Sequence, residues 1–360
     1  MSIRNLKDSQ ILLITGGAGF LGSHTALEAA KVWPGVVLVV DNFTNSKPRV
    51  AEVLKRSRQV LFETVDLLNA SAVETLFIVY QPEAVIHFAA HKSVLESCQN
   101  PLKYYDENLR MLTNVLRGME SADTRRIIFS SSATVYGALE KHRELQVGLT
   151  ENDWDLRTGR GRQRCVACPY AQTKRICEQM LHDVAVCHSS WTIVIMRYFN
   201  PIGAHDNGEL GEDPITPAAN VLPALMKTLK TGTPFHLFGD DYPTRDGTCE
   251  RDFLHVMDMV EGHLCALRYE TQPGLVTCNL GTGKPTSVLK LIAEVEAVTG
   301  RTVPMVVDPR RPGDLPSVFA DVTRAKTRWN WSASRSLRQM VSSAIRFSDP
   351  KSYTIDTRTV

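Results

Sequence analysis

A tyrosine and a lysine four positions apart form a pair that can transfer protons. Tyr170 and Lys174 open a stretch with helical spacing that continues to about Val186, and a separation of four places both side chains on one face of a helix. A lysine ammonium near a phenol favours the phenolate, so the tyrosine can act as a base near neutral pH. Taken alone, such a pair is often only a surface pair, so its interpretation depends on its surroundings.

Ser132 is the third candidate for this reacting set. It lies in the run Ser130–Gly137, directly after the predicted strand Ile127–Phe129. Ligands collect at the carboxyl ends of the strands in open α/β sheets, and a serine hydroxyl there can hydrogen-bond the reacting oxygen of a substrate. We therefore predict Ser132, Tyr170 and Lys174 as the catalytic residues.

A glycine-rich loop near the N-terminus predicts a dinucleotide site. The run TGGAGFLG at 15–22 joins a predicted strand, Ile11–Ile14, to a predicted helix that begins near Ser23. Gly16 permits the tight turn, Gly19 lets the backbone approach a pyrophosphate, and Gly22 lets the helix pack against the strand. The free N–H groups at the start of that helix can bind the phosphates.

A carboxylate at the end of the second predicted strand distinguishes between the two common dinucleotides. Asp41 follows the strand Val36–Val40 and stands nineteen positions beyond Gly22. Such a carboxylate accepts hydrogen bonds from the adenosine ribose hydroxyls and repels a 2′-phosphate. The sequence therefore predicts NAD rather than NADP, and the positive charge of oxidised nicotinamide would further favour the phenolate of Tyr170.

Two further strand ends offer contacts to the dinucleotide. Asp66 follows a strand-like run that ends at Val65, and it could bind the adenine amino group or instead cap the helix that follows. Phe88 and Ala89 follow the predicted strand Ala84–His87, where small residues leave room for a dinucleotide. His87 itself is interpreted as structural.

The surrounding pattern predicts an α/β protein with a doubly wound parallel sheet of the Rossmann type. Short β-branched runs alternate with longer amphipathic stretches up to Asn200, as in strands joined by crossover helices. Prolines and glycines then crowd the chain before a helix at Ile292–Val298 and a strand at Val303–Val307, which predicts a smaller C-terminal α/β lobe that binds substrate. We predict an NAD-binding domain over 1–200 that carries the catalytic set, a lobe over 201–345 and a tail over 346–360.

The composition excludes several classes of partner. The 41 basic and 39 acidic side chains are mixed along the 360 residues, so the chain has no electrostatic footprint for nucleic acid or an anionic membrane. No secretory or membrane-spanning segment is visible, and eight cysteines without dense spacing indicate reduced thiols, so we expect a soluble cytoplasmic protein. Cys165 and Cys168 offer too few ligands for zinc, so no metal is predicted. The basic run Arg157–Arg164 is interpreted as a solvent-facing loop.

Together these motifs resemble the UDP-glucose 4-epimerase family, a branch of the extended short-chain dehydrogenases/reductases. The resemblance covers about Ile11–Trp331 and includes, besides the motifs above, the runs Arg197–Pro201, Phe238–Thr244, Arg251–Val256 and Arg311–Pro316. It implies a hydride cycle on tightly held NAD that interconverts UDP-glucose and UDP-galactose at the sugar C4 through a 4-keto intermediate. In that cycle Tyr170 would take the C4 hydroxyl proton, Ser132 would support the transfer, and Lys174 would also hold the nicotinamide ribose.

The same resemblance implies two sets of binding residues. The NAD site would be lined by Gly16, Gly19, Phe20, Leu21, Gly22, Asp41, Asn42, Asn45, Asp66, Leu67, Phe88, Ala89, Lys92, Asn108, Tyr170, Lys174 and Tyr198. The UDP-sugar would be held by Lys92, Ser132, Tyr170, Asn200, Asn220, Val221, Leu222, His236, Phe238, Arg251, Arg311, Asp314 and Val318. Relatives in this family are commonly homodimers built on helices of the Leu102 and Tyr170 regions, so two subunits are implied by analogy.

The residue types support part of the substrate set independently. Arg251 and Arg311 offer forked donors suited to a diphosphate, and Phe238 offers a face for a uracil ring, although each arginine could instead form a surface ion pair. Val318 stands where the family has a bulky tyrosine that faces the sugar C2 substituent. The smaller side chain predicts room for UDP-N-acetylglucosamine as well as UDP-glucose.

Other functions on the same fold stay open. Another NAD-dependent nucleotide-sugar epimerase would use the same residues. A 4,6-dehydratase would share the cofactor fold and the Tyr/Lys pair, but it needs an acid pair after the strand-end serine, where this chain has Ala133 and Thr134. A non-catalytic NAD-sensing protein would be expected to have lost the tyrosine, the lysine or the serine, and all three are present.

Overall fold

The computed structural model describes residues 10–137, 147–154, 168–215, 220–311 and 314–349. In chain order the strands are β1 (Ile11–Thr15), β2 (Val36–Asp41), β3 (Val60–Thr64), β4 (Ala84–His87), β5 (Arg126–Ser132), β6 (Thr192–Tyr198), β7 (Asn200–Ile202), β8 (Phe235–Phe238), β9 (Glu250–Arg251), β10 (Phe253–His255), β11 (Gly274–Leu280), β12 (Thr286–Ser287), β13 (Met305–Asp308) and β14 (Ser317–Val318). The helices are α1 (Phe20–Val32), α2 (Pro48–Leu54), α3 (Ala70–Tyr80), α4 (Val94–Gln99), α5 (Pro101–Ser121), α6 (Pro169–Cys187), α7 (Val221–Thr231), α8 (Val256–Tyr269), α9 (Val288–Thr299), α10 (Thr323–Trp329) and α11 (Leu337–Ser348).

Seven strands form one parallel sheet in the order β11-β6-β5-β4-β1-β2-β3. Its central strands are buried on both faces, as the continuous apolar sequence of β1 requires. Helices α1, α8 and α10 bury their apolar residues on one face, and α3, α5 and α6 bury theirs on the other. The predicted doubly wound Rossmann-type sheet is therefore confirmed, and its carboxyl edge is where a ligand site is expected.

The smaller C-terminal lobe has an apolar core of its own, built mainly from α7, α9, α11 and the strands β8 and β10. Strands β8 and β13 pair in parallel, and β9 pairs with both β12 and β14. The sequence-based helix at Ile292–Val298 lies within α9, and the strand predicted at Val303–Val307 appears as β13. This lobe faces the carboxyl edge of the large sheet.

The large sheet takes one edge strand from beyond residue 200. Strand β11 pairs with β6 along its whole length, from Gly274 opposite Thr192 to Leu280 opposite Tyr198. The division at residues 200 and 345 stays a prediction, but the large sheet includes a strand from beyond residue 200, where prolines and glycines become frequent. Arg157–Arg164 and Cys165 lie outside the described residues. Within the described part of the chain, no helix has the length and apolarity needed to cross a membrane.

Candidate active site

A cleft of about 630 Å³ runs along the carboxyl edge of the sheet. Most of the residues predicted from the sequence line it, namely Gly16, Gly19, Phe20, Leu21, Gly22, Asp41, Asn42, Asn45, Asp66, Leu67, Phe88, Ala89, Lys92, Ser132, Tyr170, Lys174, Tyr198, Asn200, Asn220, Arg251, Asp314 and Val318. The fold therefore brings the glycine loop, the reacting set and part of the predicted substrate set to one place.

The glycine loop leaves no room for side chains at two of its positions. Gly16 has φ +65, and a Cβ built there would lie 2.7 Å from the backbone nitrogen of Ala89. A Cβ at Gly22 would lie 2.3 Å from the carbonyl oxygen of Gly16. The loop thus packs against β4 and turns directly into α1, whose first N–H groups open onto the cleft. This cradle fits a dinucleotide pyrophosphate.

The carboxylate of Asp41 is fixed at the end of β2. Its Oδ2 accepts a hydrogen bond from the backbone N–H of Ala18 at 2.9 Å, and its Oδ1 accepts from the N–H of Phe43 and from Ser46 Oγ, each at 2.8 Å. These bonds tie the glycine loop to the loop after β2 and hold the carboxylate in the cleft. The arrangement fits the adenosine ribose of NAD, because a negative charge there repels a 2′-phosphate.

Asp66 does not cap the following helix. Its Oδ1 accepts from the N–H of Leu68 at 2.9 Å, while Asn69 is the N-cap of α3 and accepts from Ala72. The carboxylate of Asp66 lines the cleft, so the capping alternative is wrong. His87 is structural, as predicted: its Nδ1 shares a 2.8 Å hydrogen bond with Thr15 Oγ1.

The reacting set meets at the carboxyl ends of β5 and β6. Tyr170 and Lys174 lie one turn apart on α6, and both are almost fully buried. Lys174 Nζ donates to the carbonyl oxygen of Ser130 at 2.6 Å and lies 4.8 Å from the ring centroid of Phe129. The Ser132 hydroxyl accepts from Thr134 Oγ1 at 3.0 Å. The cleft therefore holds a hydroxyl, a phenol and an amine side by side.

Burial dominates the electrostatics of the phenol in the chain without cofactor. Burial raises the pKa of Tyr170 to about 12, and a hydrogen bond with Ser132 lowers it in part. Burial also lowers the pKa of Lys174 to about 8. The ammonium of Lys174 is directed at the Ser130 carbonyl, and the acidification of Tyr170 by this lysine together with oxidised nicotinamide stays a prediction.

A buried ion pair lies beneath the reacting set, and the sequence analysis missed it. Arg197 on β6 and Glu178 on α6 approach to 2.7 Å, with side chains 1% and 0% exposed. Glu178 also accepts from the hydroxyl of Ser131, which is adjacent to Ser132. Arg197 Nη1 donates to Tyr136 OH at 3.1 Å. A lone arginine in the apolar run of β6 is the sequence signal that could have indicated this network.

On the substrate side, Arg251 is held within the cleft wall. Its Nη1 donates to the carbonyl oxygens of Glu250 and Leu315, each at 2.8 Å, and its Nη2 lies 3.2 Å from Asp314 Oδ1. Val318 pairs with Arg251 in the β14–β9 register and packs against the small apolar cluster that includes Phe199. These contacts fix the guanidinium in place at the cleft.

Six of the residues predicted to bind NAD or the UDP-sugar do not line the cleft. Asn108 is buried behind it, where it accepts from the N–H of His91 at 2.8 Å and donates to its carbonyl. His236 points outward on β8 and pairs with Asp308 at 2.7 Å, because side chains alternate between the two faces of a strand. The other four are Val221, Leu222, Phe238 and Arg311. Leu222 is buried in the lobe core, where Val221 packs against it.

Phe238 and Arg311 nonetheless lie together outside the cleft lining. The guanidinium carbon of Arg311 stands 3.8 Å from the centroid of the Phe238 ring. Sequence spacing could not show this contact, because 73 positions separate the two residues. The pair keeps a forked donor and an aromatic face in one place.

The sequence analysis also missed Glu212. This residue lines the cleft with its side chain 8% exposed, and its Oε1 accepts from Asn220 Nδ2 at 2.5 Å and lies 3.1 Å from Lys92 Nζ. Glu212 thus contacts two predicted binding residues, Lys92 and Asn220, that lie 128 positions apart in the chain. The run Gly211-Glu212-Asp213-Pro214 is the signal that could have indicated it, since paired carboxylates in a loop-rich lobe are candidates for contacts with ligand-binding cations.

Comparison with known proteins agrees with this geometry. The model of the NAD dependent epimerase/dehydratase family matches residues 12–281. The chain belongs to this family. Among its relatives, UDP-glucose 4-epimerase of Bacillus subtilis (strain 168) is 39% identical over 346 residues, which are 93% of this chain and 96% of that protein. A bifunctional UDP-glucose 4-epimerase and UDP-xylose 4-epimerase of Pisum sativum is 38% identical over 348 residues, 93% of this chain and 94% of that protein.

A solved structure in the family agrees equally well. UDP-glucose 4-epimerase from Bifidobacterium longum, in complex with NAD+ and UDP, superposes with a TM-score of 0.84 at 37% identity, covering 96% of this chain and all of that one. The family includes dehydratases as well as epimerases. Ala133 and Thr134 line the cleft after Ser132 and offer no carboxylate for the removal of water. Among the described residues, no group of three or more His, Cys, Asp or Glu side chains could hold a metal ion.

Proposed function

We propose that this protein is a UDP-glucose 4-epimerase that interconverts UDP-glucose and UDP-galactose with tightly bound NAD. The observation that carries the proposal is the convergence of Ser132, Tyr170 and Lys174 on the same cleft as the glycine loop and Asp41. The relatives support the proposal through their names, and the Bifidobacterium longum structure through its bound NAD+ and UDP.

NAD, when bound, supplies a reversible hydride acceptor. Tyr170 holds or takes the proton of the sugar C4 hydroxyl at its phenolic oxygen, and Ser132 hydrogen-bonds the same sugar oxygen. A pKa near 12 makes the phenol of the chain alone a poor base at neutral pH. Its activation therefore depends on positive charge and on hydrogen bonds that form in the loaded cleft. Tyr170 and Lys174 are almost fully buried, and electrostatic interactions are stronger at buried sites than in water.

The proposal is tested by incubating purified protein with UDP-galactose, without added cofactor, and separating the products chromatographically. UDP-glucose should form, because NAD is expected to remain bound through purification. Tyr170→Phe should abolish turnover while it retains NAD. Tyr269→Phe, at an exposed tyrosine on α8, is the matched control and should turn over normally. Turnover in the Tyr170→Phe protein would contradict the mechanism.

We also propose that the substrate range includes N-acetylated UDP-sugars. Val318 lines the cleft where a bulkier side chain would narrow it. Purified protein should therefore convert UDP-N-acetylgalactosamine, and Val318→Tyr should lose this activity while it keeps activity on UDP-galactose. A wild-type protein that turns over UDP-galactose alone would rule out the wider range.

We further propose that the protein is a cytoplasmic homodimer. Helices α5 and α6 pack on each other and, with α4, leave large apolar side chains exposed, namely Leu95 at 68%, Leu102 at 81% and Val186 at 70%. These three side chains are the candidates for contacts between subunits. The protein should sediment as a dimer, and Leu102→Glu should yield monomers. Ile78→Glu, on α3, is the control and should remain dimeric.

A further inference from the structure

Two cations lie beside the part of the cleft that fits the adenosine ribose. Lys47 and Arg49 line the cleft together with Asp41. Lys47 directly follows Ser46, whose hydroxyl donates to the Asp41 carboxylate at 2.8 Å. The stretch from the end of β2 to the first turn of α2 therefore presents a carboxylate and two cations. An arginine near this position is how related folds accommodate the 2′-phosphate of NADP.

A single carboxylate from the other lobe pairs with both cations. Asp213 Oδ1 lies 2.6 Å from Lys47 Nζ, and its Oδ2 lies 3.0 Å from Arg49 Nη2. The side chains are 41%, 47% and 35% exposed for Lys47, Arg49 and Asp213. Burial raises the pKa of Asp213, but the hydrogen bonds from the two cations outweigh this effect and keep the pKa below its ordinary value. Asp213 is therefore a carboxylate anion under neutral conditions.

We propose that Asp213 is a specificity-determining residue for the cofactor, because it neutralises two cations that would otherwise attract the 2′-phosphate of NADP. The inference rests on the proposed use of NAD. In this arrangement Asp41 repels the phosphate directly, and Asp213 removes the compensating attraction of Lys47 and Arg49. Selectivity for NAD thus depends on a residue of the substrate lobe that lies 166 positions from Lys47.

The chain offers a matched control for the loss of a contact between the lobe and the sheet domain. Glu209 pairs with Arg56 at 2.5 Å, in the same stretch of the lobe as Asp213. Arg56 does not line the cleft among the residues that the structure describes. Glu209 itself lines the cleft, so Glu209→Gln removes one ion pair and one carboxylate of the cleft lining but releases no cation that lines the cleft.

The experiment measures which dinucleotide the protein retains. Purified protein is unfolded in urea, which releases the tightly held NAD, and refolded with equal excess NAD and NADP. It is then desalted, denatured and analysed by chromatography. Asp213→Asn should raise the bound NADP-to-NAD ratio about tenfold over wild type, the scale expected for two partly exposed charge pairs. Adding Lys47→Gln and Arg49→Gln to this variant should restore the wild-type ratio. Glu209→Gln should keep it.

Two results would overturn the inference. One is an unchanged ratio in Asp213→Asn, and the other is an equal rise in Glu209→Gln, which would attribute the effect to a loosened lobe. Both leave the proposed function intact as long as the wild-type protein retains NAD. A purified wild-type protein that carries no NAD before it is unfolded would overturn the proposed function as well.

Discussion

The buried pair between Arg197 and Glu178 allows a sharp test of how the reacting set is supported. The perturbation is Glu178→Gln, which preserves the shape of the side chain and removes its charge. In the wild-type protein Glu178 accepts from Arg197 Nε at 3.0 Å, from Nη2 at 2.7 Å and from the Ser131 hydroxyl. A glutamine amide would direct its NH2 group at one of these donors and leave the guanidinium without a counter-ion.

The magnitude follows from the burial of the pair. Arg197 is 1% exposed and Glu178 is fully buried, so solvent cannot compensate the remaining charge. Removing one partner of such a pair costs ~3–5 kcal/mol of the free energy of unfolding. Replacing both, as Arg197→Met with Glu178→Leu, removes both charges and should cost less than the sum of the single replacements. The coupling between the two sites should be at least ~2 kcal/mol.

The assay is urea unfolding of the wild-type protein, the single variants Glu178→Leu, Glu178→Gln and Arg197→Met, and the double variant, all with excess NAD. Asp106→Asn is the control, because its ion pair with Arg110 is half exposed and should contribute less than ~1 kcal/mol. A Glu178→Gln protein within ~1 kcal/mol of wild type would refute the reasoning. So would additive effects of the two single replacements.

Three further predictions concern the cofactor loop, the catalytic lysine and a helix cap. Gly22→Ala should lose bound NAD, because a Cβ would lie 2.3 Å from the Gly16 carbonyl oxygen. The NAD released on denaturation measures this loss, and retained NAD would show that the glycine loop can shift to make room for the methyl group. Lys174→Met should abolish turnover yet raise the free energy of unfolding of nucleotide-free protein by ~1–2 kcal/mol at neutral pH. Burial lowers the pKa of Lys174 from 10.5 to about 8, so the buried ammonium costs the wild-type protein ~3 kcal/mol of its free energy of unfolding. The variant is freed of this cost but loses the hydrogen bond to Ser130, which is worth ~1 kcal/mol. Urea titrations should show this gain shrinking as the pH rises from 8 towards 10.5, where wild-type protein loses the proton in the folded state only; a constant gain contradicts the assignment. Asn69→Ala should cost ~1 kcal/mol in urea unfolding, since its side chain caps α3 by accepting from Ala72, and no change would mean that the cap is dispensable.

Local sequence patterns determined much of the fold and of the cleft. Continuous apolar runs indicated the strands of the large sheet because strands covered on both faces must be apolar throughout. The glycine loop, Asp41 and the Tyr170/Lys174 pair were recognisable because each depends on residues close together in the chain. The structure places all of them along one cleft, as the rule for carboxyl ends of parallel strands predicts.

Only the tertiary structure decided the contacts between distant segments. Asp213 reaches Lys47 across 166 positions, His236 faces Asp308 and not the cleft, and the ammonium of Lys174 is directed at a backbone carbonyl. Local periodicity reports which face of an element is buried, but not which distant element covers it. Each pairing depends on which elements the fold brings together: the segment that carries Asp213 against the loop after β2, β8 beside β13, and α6 against β5.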